Sequence, residues 1–137
     1  MSKLEAVLTP WAPRILSVLR IVTALLYMQH GTQKLLGFPE PARVMGELPP
    51  LMLTAGLLEA GGGALFAIGL FTRPVAFILC GMMAVAYFMV HGSREFFPIN
   101  NGGDLAILFC FVYLYFVFAG GGAWSADNFI ARKKNPT

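Results

Sequence analysis

The sequence predicts an all-α protein, an antiparallel bundle of four transmembrane helices with both termini in the cytoplasm. Hydrophobic residues make up 57% of the 137 residues and charged residues only 12%, whereas a soluble domain usually carries about 25% charged residues. The charged residues are also clustered, and they leave four apolar stretches that each approach the ~20 residues of a spanning helix. We therefore expect one integral membrane domain over residues 1–137, with helices at about 15–36, 51–71, 74–92 and 105–123.

The distribution of Lys and Arg predicts the orientation, because cytoplasmic loops of membrane proteins carry an excess of these residues. With both termini inside, seven of the ten Lys and Arg residues lie on the cytoplasmic side and three outside. Much of the net charge of +3 comes from Arg132, Lys133 and Lys134, which we expect to anchor the tail at lipid headgroups. Three basic residues are a weak argument for nucleic acid, so no such partner is expected.

The first predicted helix is bounded by residues typical of its two ends. Trp11, Pro13 and Arg14 precede it, and Trp and basic residues favour the headgroup region. Gly37 and Pro39 follow it, and both residue types end helices. The chain is therefore expected to cross the membrane once between these positions.

The second predicted helix is rich in small residues. Gly56, Ala60 and Ala64 are spaced by four, which lets helix backbones approach closely in lipid. The run that includes Gly62 and Gly63 allows two interpretations, close packing against a neighbouring helix or room for a flat ligand. The tight turn at 69–74 should make the second and third helices antiparallel neighbours.

The fourth predicted helix begins near Asp104 and contains many aromatic residues. A carboxylate in the first turn is favoured by the helix dipole, so a structural cap is the leading interpretation of Asp104. The aromatic side chains are expected to face lipid or to pack in the bundle. After the helix, Ser125 is expected to cap a short amphipathic helix.

The two cysteines are expected to lie too far apart for a disulfide. Cys80 and Cys110 each lie about 9 Å into their helices, from opposite sides of the membrane, at 1.5 Å per residue. In a hydrocarbon core of ~30 Å their depths differ by roughly 12 Å, beyond the ~7 Å between Cα atoms that a disulfide tolerates. Buried, apolar cysteines are therefore predicted.

The most informative residues are three ionisable side chains within apolar stretches: Glu59, His30 and His91. Such residues are expensive in hydrocarbon and by default suggest a functional site. Helical rise and the lean of side chains toward their helix N-terminus bring all three together in the outer half of the membrane. Arg20 shares a face of the first helix with His30 but leans toward the cytoplasm, where it is expected to snorkel.

A carboxylate hydrogen-bonded to histidine can exchange protons near neutral pH, as two-electron quinone chemistry requires. Glu59, His30 and His91 are therefore the predicted catalytic residues. A zinc or non-haem iron site is the competing interpretation, but no single helix carries an H-x-x-x-H or E-x-x-H pair, and a metal is not expected. The third interpretation is a His–Glu pair that only fixes helix register.

The cofactor considered is a quinone, and without a Gly-x-Gly-x-x-Gly or phosphate loop no nucleotide is expected. Eight further residues are predicted to contribute to the cofactor site. These residues are Tyr27, Lys34, Gly62, Gly63, Tyr87, Arg94, Asn101 and Asp104.

Five short motifs occur in order along the chain: HGTQKLLGF at 30–38, EAGGG at 59–63, GLFTR at 69–73, NGGD at 101–104 and GGAWSAD at 121–127. On these motifs the chain resembles the DoxX family of small bacterial membrane proteins over about residues 15–130. Asp104 stands where the family often has glutamate, which preserves the charge.

The resemblance implies a four-helix bundle in the bacterial inner membrane and an association with redox systems. Relatives include the large membrane subunit of a thiosulfate:quinone oxidoreductase and a subunit of a thiol-oxidant defence complex. Because a fold hosts many functions, three hypotheses remain open. The leading one is a quinone-interacting subunit of a membrane oxidoreductase, in which Arg94 attracts an anionic substrate or partner.

The second hypothesis is a non-catalytic membrane scaffold for a redox or stress-defence complex. The third is a small permease built from several copies of the chain. The partners expected under these hypotheses are the lipid bilayer, a redox-enzyme subunit and a second copy of the protein.

Overall fold

The computed structural model describes residues 2–41 and 46–134, and every regular element in these ranges is helical. This confirms the all-α prediction for that part of the chain. Two π-helices, π1 (Leu58–Gly62) and π2 (Tyr87–His91), directly follow α3 and α5. The α-helices are α1 Lys3–Leu8, α2 Ala12–Leu36, α3 Pro50–Leu57, α4 Gly63–Ile68, α5 Thr72–Ala86, α6 Pro98–Asn101, α7 Asp104–Ala119 and α8 Ala126–Lys134.

Three continuous helical stretches are long and apolar enough to cross a membrane: Lys3–Leu36, Pro50–Ile68 and Thr72–His91. The fourth apolar helix, α7, has 16 residues and a length of about 24 Å. It ends at Ala119 rather than near residue 123, because Gly120 adopts a φ of 77°, outside the range of a right-handed helix. These helices make the chain a multi-pass membrane protein.

The helices form two pairs. The long helix α2 packs along α3, π1 and α4, while α5 packs along α7. We call the end of the bundle that holds Gly69 and Gly121 the turn end, because the short turn between α4 and α5 lies there. The opposite end, which holds His91 and Asn101, is the loop end.

Aromatic rings join the two pairs in the centre of the bundle. The Tyr113 ring lies edge-to-face with the rings of Tyr27 and Phe66, at centroid distances of 5.2 and 5.0 Å. Phe66 makes the same contact with Phe116 at 5.0 Å. Because lipid removes most of the hydrophobic driving force between helices, specific packing of this kind stabilises the bundle.

Arg20 is fully buried, and the prediction that it snorkels toward the headgroups is wrong. Its guanidinium donates to the carbonyl oxygens of Phe66 at 2.6 Å, Gly121 at 2.9 Å and Trp124 at 2.8 Å, and to that of Ala67. The last carbonyls of a helix have no partner within the helix, and they carry the negative end of its dipole. Arg20 therefore holds α2, the end of α4 and the 121–124 segment together at the turn end.

Asp127 fixes the start of α5. Its carboxylate accepts the backbone N–H groups of Phe71 and Thr72, both at 2.8 Å. Burial raises the pKa of Asp127, but these hydrogen bonds and the positive charge of Arg20 outweigh it and hold the pKa below its usual value. Ser125 caps α8, as predicted, by accepting the N–H of the residue three positions later at 3.2 Å.

The predicted separation of Cys80 and Cys110 is wrong. Their sulfur atoms lie 3.7 Å apart across the contact between α5 and α7, and both thiols are free. The prediction assumed that the fourth helix spans a full ~30 Å core, whereas α7 is about 24 Å long. Its shorter length shifts Cys110 to the level of Cys80.

Candidate functional site

A salt bridge between Lys34 and Glu59 lies in the loop-end half of the bundle. Lys34 Nζ donates to both carboxylate oxygens of Glu59, at 2.5 Å to Oε1 and 2.6 Å to Oε2. The side chains are 20% and 6% exposed. Lys34, and not a histidine, is therefore the hydrogen-bond partner of Glu59. An unpaired charge at this depth would be costly, and the pair removes most of that cost.

The local helix geometry explains why these two side chains meet. Gly31 lies one turn before Lys34 on α2, and a β-carbon at Gly31 would lie 2.5 Å from the backbone nitrogen of Ala60. The absence of a side chain thus lets α2 approach the backbone of π1. Glu59 belongs to π1, and π-helical turns are often found at functional sites.

A cavity of about 430 Å³ opens beside the salt bridge. This volume falls within the ~300–1,000 Å³ that is typical of small-molecule sites. Its wall is mostly apolar, and exposed side chains such as Leu51, Met89 and Val90 lie on it. All three lie on helical stretches that are long and apolar enough to cross a membrane. The polar side chains on the wall are Tyr27, His30, Lys34, Glu59 and His91.

His91 is held by the loop that precedes α7. Its Nδ1 lies 2.9 Å from the backbone oxygen of Asn101, and its ring stacks on that of Tyr87 at a centroid distance of 6.4 Å. A carbonyl oxygen can only accept, so Nδ1 carries the hydrogen in this bond. In the neutral imidazole, Nε2 is then the nitrogen that can accept a proton.

The Asn101 side chain organises the same loop. Its amide nitrogen donates to the backbone oxygen of Glu95 at 2.8 Å and to the Tyr87 hydroxyl at 3.4 Å. Its amide oxygen accepts the N–H of Gly103 at 2.7 Å. Asn101 and Tyr87 therefore position the His91 ring and do not themselves line the cavity.

The other two polar wall residues belong to α2. The half-buried His30 ring packs edge-to-face on Phe109 at 6.5 Å, and no side-chain hydrogen bond holds it within the described residues. The Tyr27 hydroxyl donates to the sulfur of Met82 at 3.3 Å. His30 is thus the histidine whose ring nitrogens are both available to a ligand.

The structure brings five of the predicted site residues to one cavity, namely Tyr27, His30, Lys34, Glu59 and His91. The other six predicted positions lie off its wall. Arg94 and Asp104 are exposed at the loop end. Gly62 and Gly63 instead allow close packing, because β-carbons there would contact the side chains of Leu79 and Met28. Tyr87 and Asn101 lie behind His91, as described above.

Methionines of the cavity wall were not among the residues predicted from the sequence. Four line its wall, and thioether side chains adapt readily to ligands of irregular shape. The sequence holds no signal for them, since methionine at these positions is equally compatible with lipid contact. These residues are Met52, Met82, Met83 and Met89. In the described part of the chain, no group of three His, Cys, Asp or Glu residues could hold a metal ion.

The fold and the cavity define a class of protein, a multi-pass helical membrane protein with a mostly apolar cavity that carries ionisable groups. The chain belongs to the DoxX family, whose sequence profile matches residues 15–92. This range contains all five polar residues of the cavity wall.

An uncharacterized protein of Haemophilus influenzae is similar to this chain over nearly its whole length. It is 44% identical over 133 residues, which cover 92% of this chain and 98% of the relative. No solved structure matches the chain. The family match and this relative therefore establish the family of the chain.

Proposed function

We propose that this protein is the quinone-interacting subunit of an oxidoreductase in the bacterial inner membrane, and that the quinone ring binds in the loop-end cavity. One observation carries the proposal. A mostly apolar cavity of about 430 Å³ with exposed apolar residues on its wall is lined by a partly buried Lys–Glu pair and two histidines.

The position of the cavity suits a lipid-soluble ligand. Leu51, Met89 and Val90 are exposed side chains of the wall, so a ligand dissolved in the bilayer can reach the cavity without crossing water. The methionine-rich wall suits a ring with several substituents. A sugar or a nucleotide would find too few polar partners here.

The ionisable groups suit a reaction that moves two protons. Lys34 and Glu59 neutralise each other, so the cavity wall carries little net charge, as a low-dielectric site requires. In this proposal Lys34 donates a hydrogen bond to a quinone oxygen, while Glu59, His30 and His91 take up or release protons. Histidine is suited to this role because one ring nitrogen of the neutral imidazole can accept a proton while the other donates a hydrogen bond.

A second function, the scaffold, is favoured by the salt bridge itself. Both oxygens of Glu59 accept hydrogen bonds from Lys34. Fixing the register between α2 and π1 would be a sufficient role for such a pair, without any ligand. A scaffold needs the pair for assembly but needs no ligand. The two functions therefore make different predictions for a variant that keeps the shape of Glu59.

Quinone extracted from the protein purified in native lipid, and quantified per chain, tests the proposal. Wild type should retain quinone and Glu59→Gln should lose most of it. Glu95→Gln is the matched control, because Glu95 is exposed on the loop outside the cavity and should retain quinone fully. Wild-type protein free of quinone, or equal retention by Glu59→Gln, would contradict the proposal and leave the scaffold.

A further inference from the structure

The two cysteines of the chain meet in the bundle. Cys80 on α5 and Cys110 on α7 place their sulfur atoms 3.7 Å apart, and both are half-buried free thiols. An S–S bond measures about 2.05 Å, so the sulfurs need to approach by less than about 2 Å. Closure of a disulfide therefore requires a movement of only this size at the contact between α5 and α7.

The thiols also lie next to the loop-end cavity. Met83, one turn after Cys80 on α5, belongs to the cavity wall. On α7, Ala106 and Phe109 belong to the wall, and Cys110 directly follows Phe109. The cysteine pair is therefore about one helical turn from the cavity, on the side of the turn end.

We propose that Cys80 and Cys110 form a redox-active dithiol that closes to an intramolecular disulfide and transfers two electrons to a quinone in the cavity. In this step two S–H bonds break and one S–S bond forms. The two electrons and two protons convert one quinone to one quinol. The closure of the disulfide rests on the sulfur geometry alone, whereas the electron acceptor rests on the proposed function.

The neighbouring groups can handle the protons of this step. His30 and Glu59 line the same cavity as Met83 and Phe109, and imidazole and carboxylate groups can serve as general bases or acids. The thiolate is the form of cysteine that reacts, so a proton acceptor on the wall would promote the reaction.

The test uses the intact protein in lipid nanodiscs, reduced with a phosphine and then freed of reductant without air. A ubiquinone analogue with a fully substituted ring is added, because such a ring cannot form an adduct with a thiol. We expect loss of both alkylatable thiols, a chain mass lower by two hydrogens, monomer mobility on a non-reducing gel, and one quinol formed per chain.

Two single variants serve as controls. Cys80→Ser and Cys110→Ser each keep one thiol and the size of the side chain, so they should bind quinone as wild type does but form no quinol. Quinol formed equally by these variants would overturn the dithiol as the electron source.

Diamide, a small thiol oxidant, separates this proposal from the proposed function. Quinone binding with thiols that stay reduced under both quinone and diamide would overturn the dithiol and leave the quinone site intact. A disulfide formed with diamide in a protein that binds no quinone would support closure and overturn the quinone as acceptor.

Discussion

A β-carbon on Gly31 would lie 2.8 Å from the β-carbon of Glu59, so α2 meets π1 at backbone distance one turn before Lys34. Both the salt bridge and the cavity wall depend on this close approach. The same position therefore provides the most direct test of how the site is held.

Gly31→Ala should destabilise the protein and weaken the Lys34–Glu59 contact. The added methyl group would lie 2.5 Å from Ala60 N and 2.8 Å from Gly56 O, and overpacking of this kind costs about 1–3 kcal/mol. Thermal unfolding in detergent measures the effect.

Gly61→Ala is the matched control for Gly31→Ala, because no atom outside its own helix lies within 4 Å of a β-carbon there. It should leave the melting temperature unchanged or raise it, since Ala favours a helix over Gly by about 1 kcal/mol. A Gly31→Ala protein as stable as Gly61→Ala would contradict the proposed close packing.

Exchange of the two charges should separate stability from ligand binding. Lys34→Met leaves Glu59 buried and unpaired and should cost about 3 kcal/mol, the low end for a broken buried pair, because Lys34 is partly exposed. The double variant Lys34→Glu with Glu59→Lys restores opposite charges and should recover most of the melting temperature.

If the Lys34–Glu59 pair binds quinone, the double variant should be stable but should not bind quinone. The reason is that the hydrogen-bond donor and the carboxylate have exchanged positions on the cavity wall. Full recovery of quinone content in the exchanged variant would show that only the presence of the pair matters. Such a result would favour the scaffold.

Arg20→Lys should be strongly destabilising although it keeps the charge. An ammonium group cannot reproduce the planar arrangement of donors that reaches four carbonyl oxygens. Loss of even one charged hydrogen bond costs about 1.5–3 kcal/mol. Arg14→Lys, at an exposed position, is the control and should melt as wild type does. Equal melting of the two variants would be inconsistent with the structure.

Asp127 should make stability fall in acid. The folded state holds the pKa of this carboxyl below its usual value, so its contribution is complete above the unfolded pKa of about 3.9 and is lost as pH falls through the lower, folded pKa. At pH 6, Asp127→Asn should therefore melt below wild type, and the difference should shrink below about pH 4. Melting curves between pH 6 and 3 measure this.

Glu95→Gln is the control for these melting curves. Because the pKa of Asp127 should account for the loss of the difference in acid, Glu95→Gln should melt as wild type does at every pH. A gap between wild type and Asp127→Asn that stays constant with pH would show that the carboxylate stabilises α5 by shape and not by charge.

Much of the fold was predictable because it follows from local sequence. Apolar stretches of membrane length indicate helices directly. The cap of α8 was predictable because serine is a preferred residue at the position just before a helix. Glu59, His30 and His91 were identifiable because ionisable groups are rare in hydrocarbon. The bond from Lys34 was not predictable, since it requires the π-helical turn at 58–62 and the contact at Gly31 together.

The sequence by itself determined the all-helical class, the apolar helices and the family, because composition and helical spacing are properties of neighbouring residues. Only the tertiary structure decided which side chains meet. Arg20 binds carbonyls instead of headgroups, Lys34 pairs with Glu59, and Cys80 lies beside Cys110. The physical reason is register. The level of each side chain along the bundle depends on the end of α7 at Gly120. It also depends on the close approach of α2 that Gly31 allows.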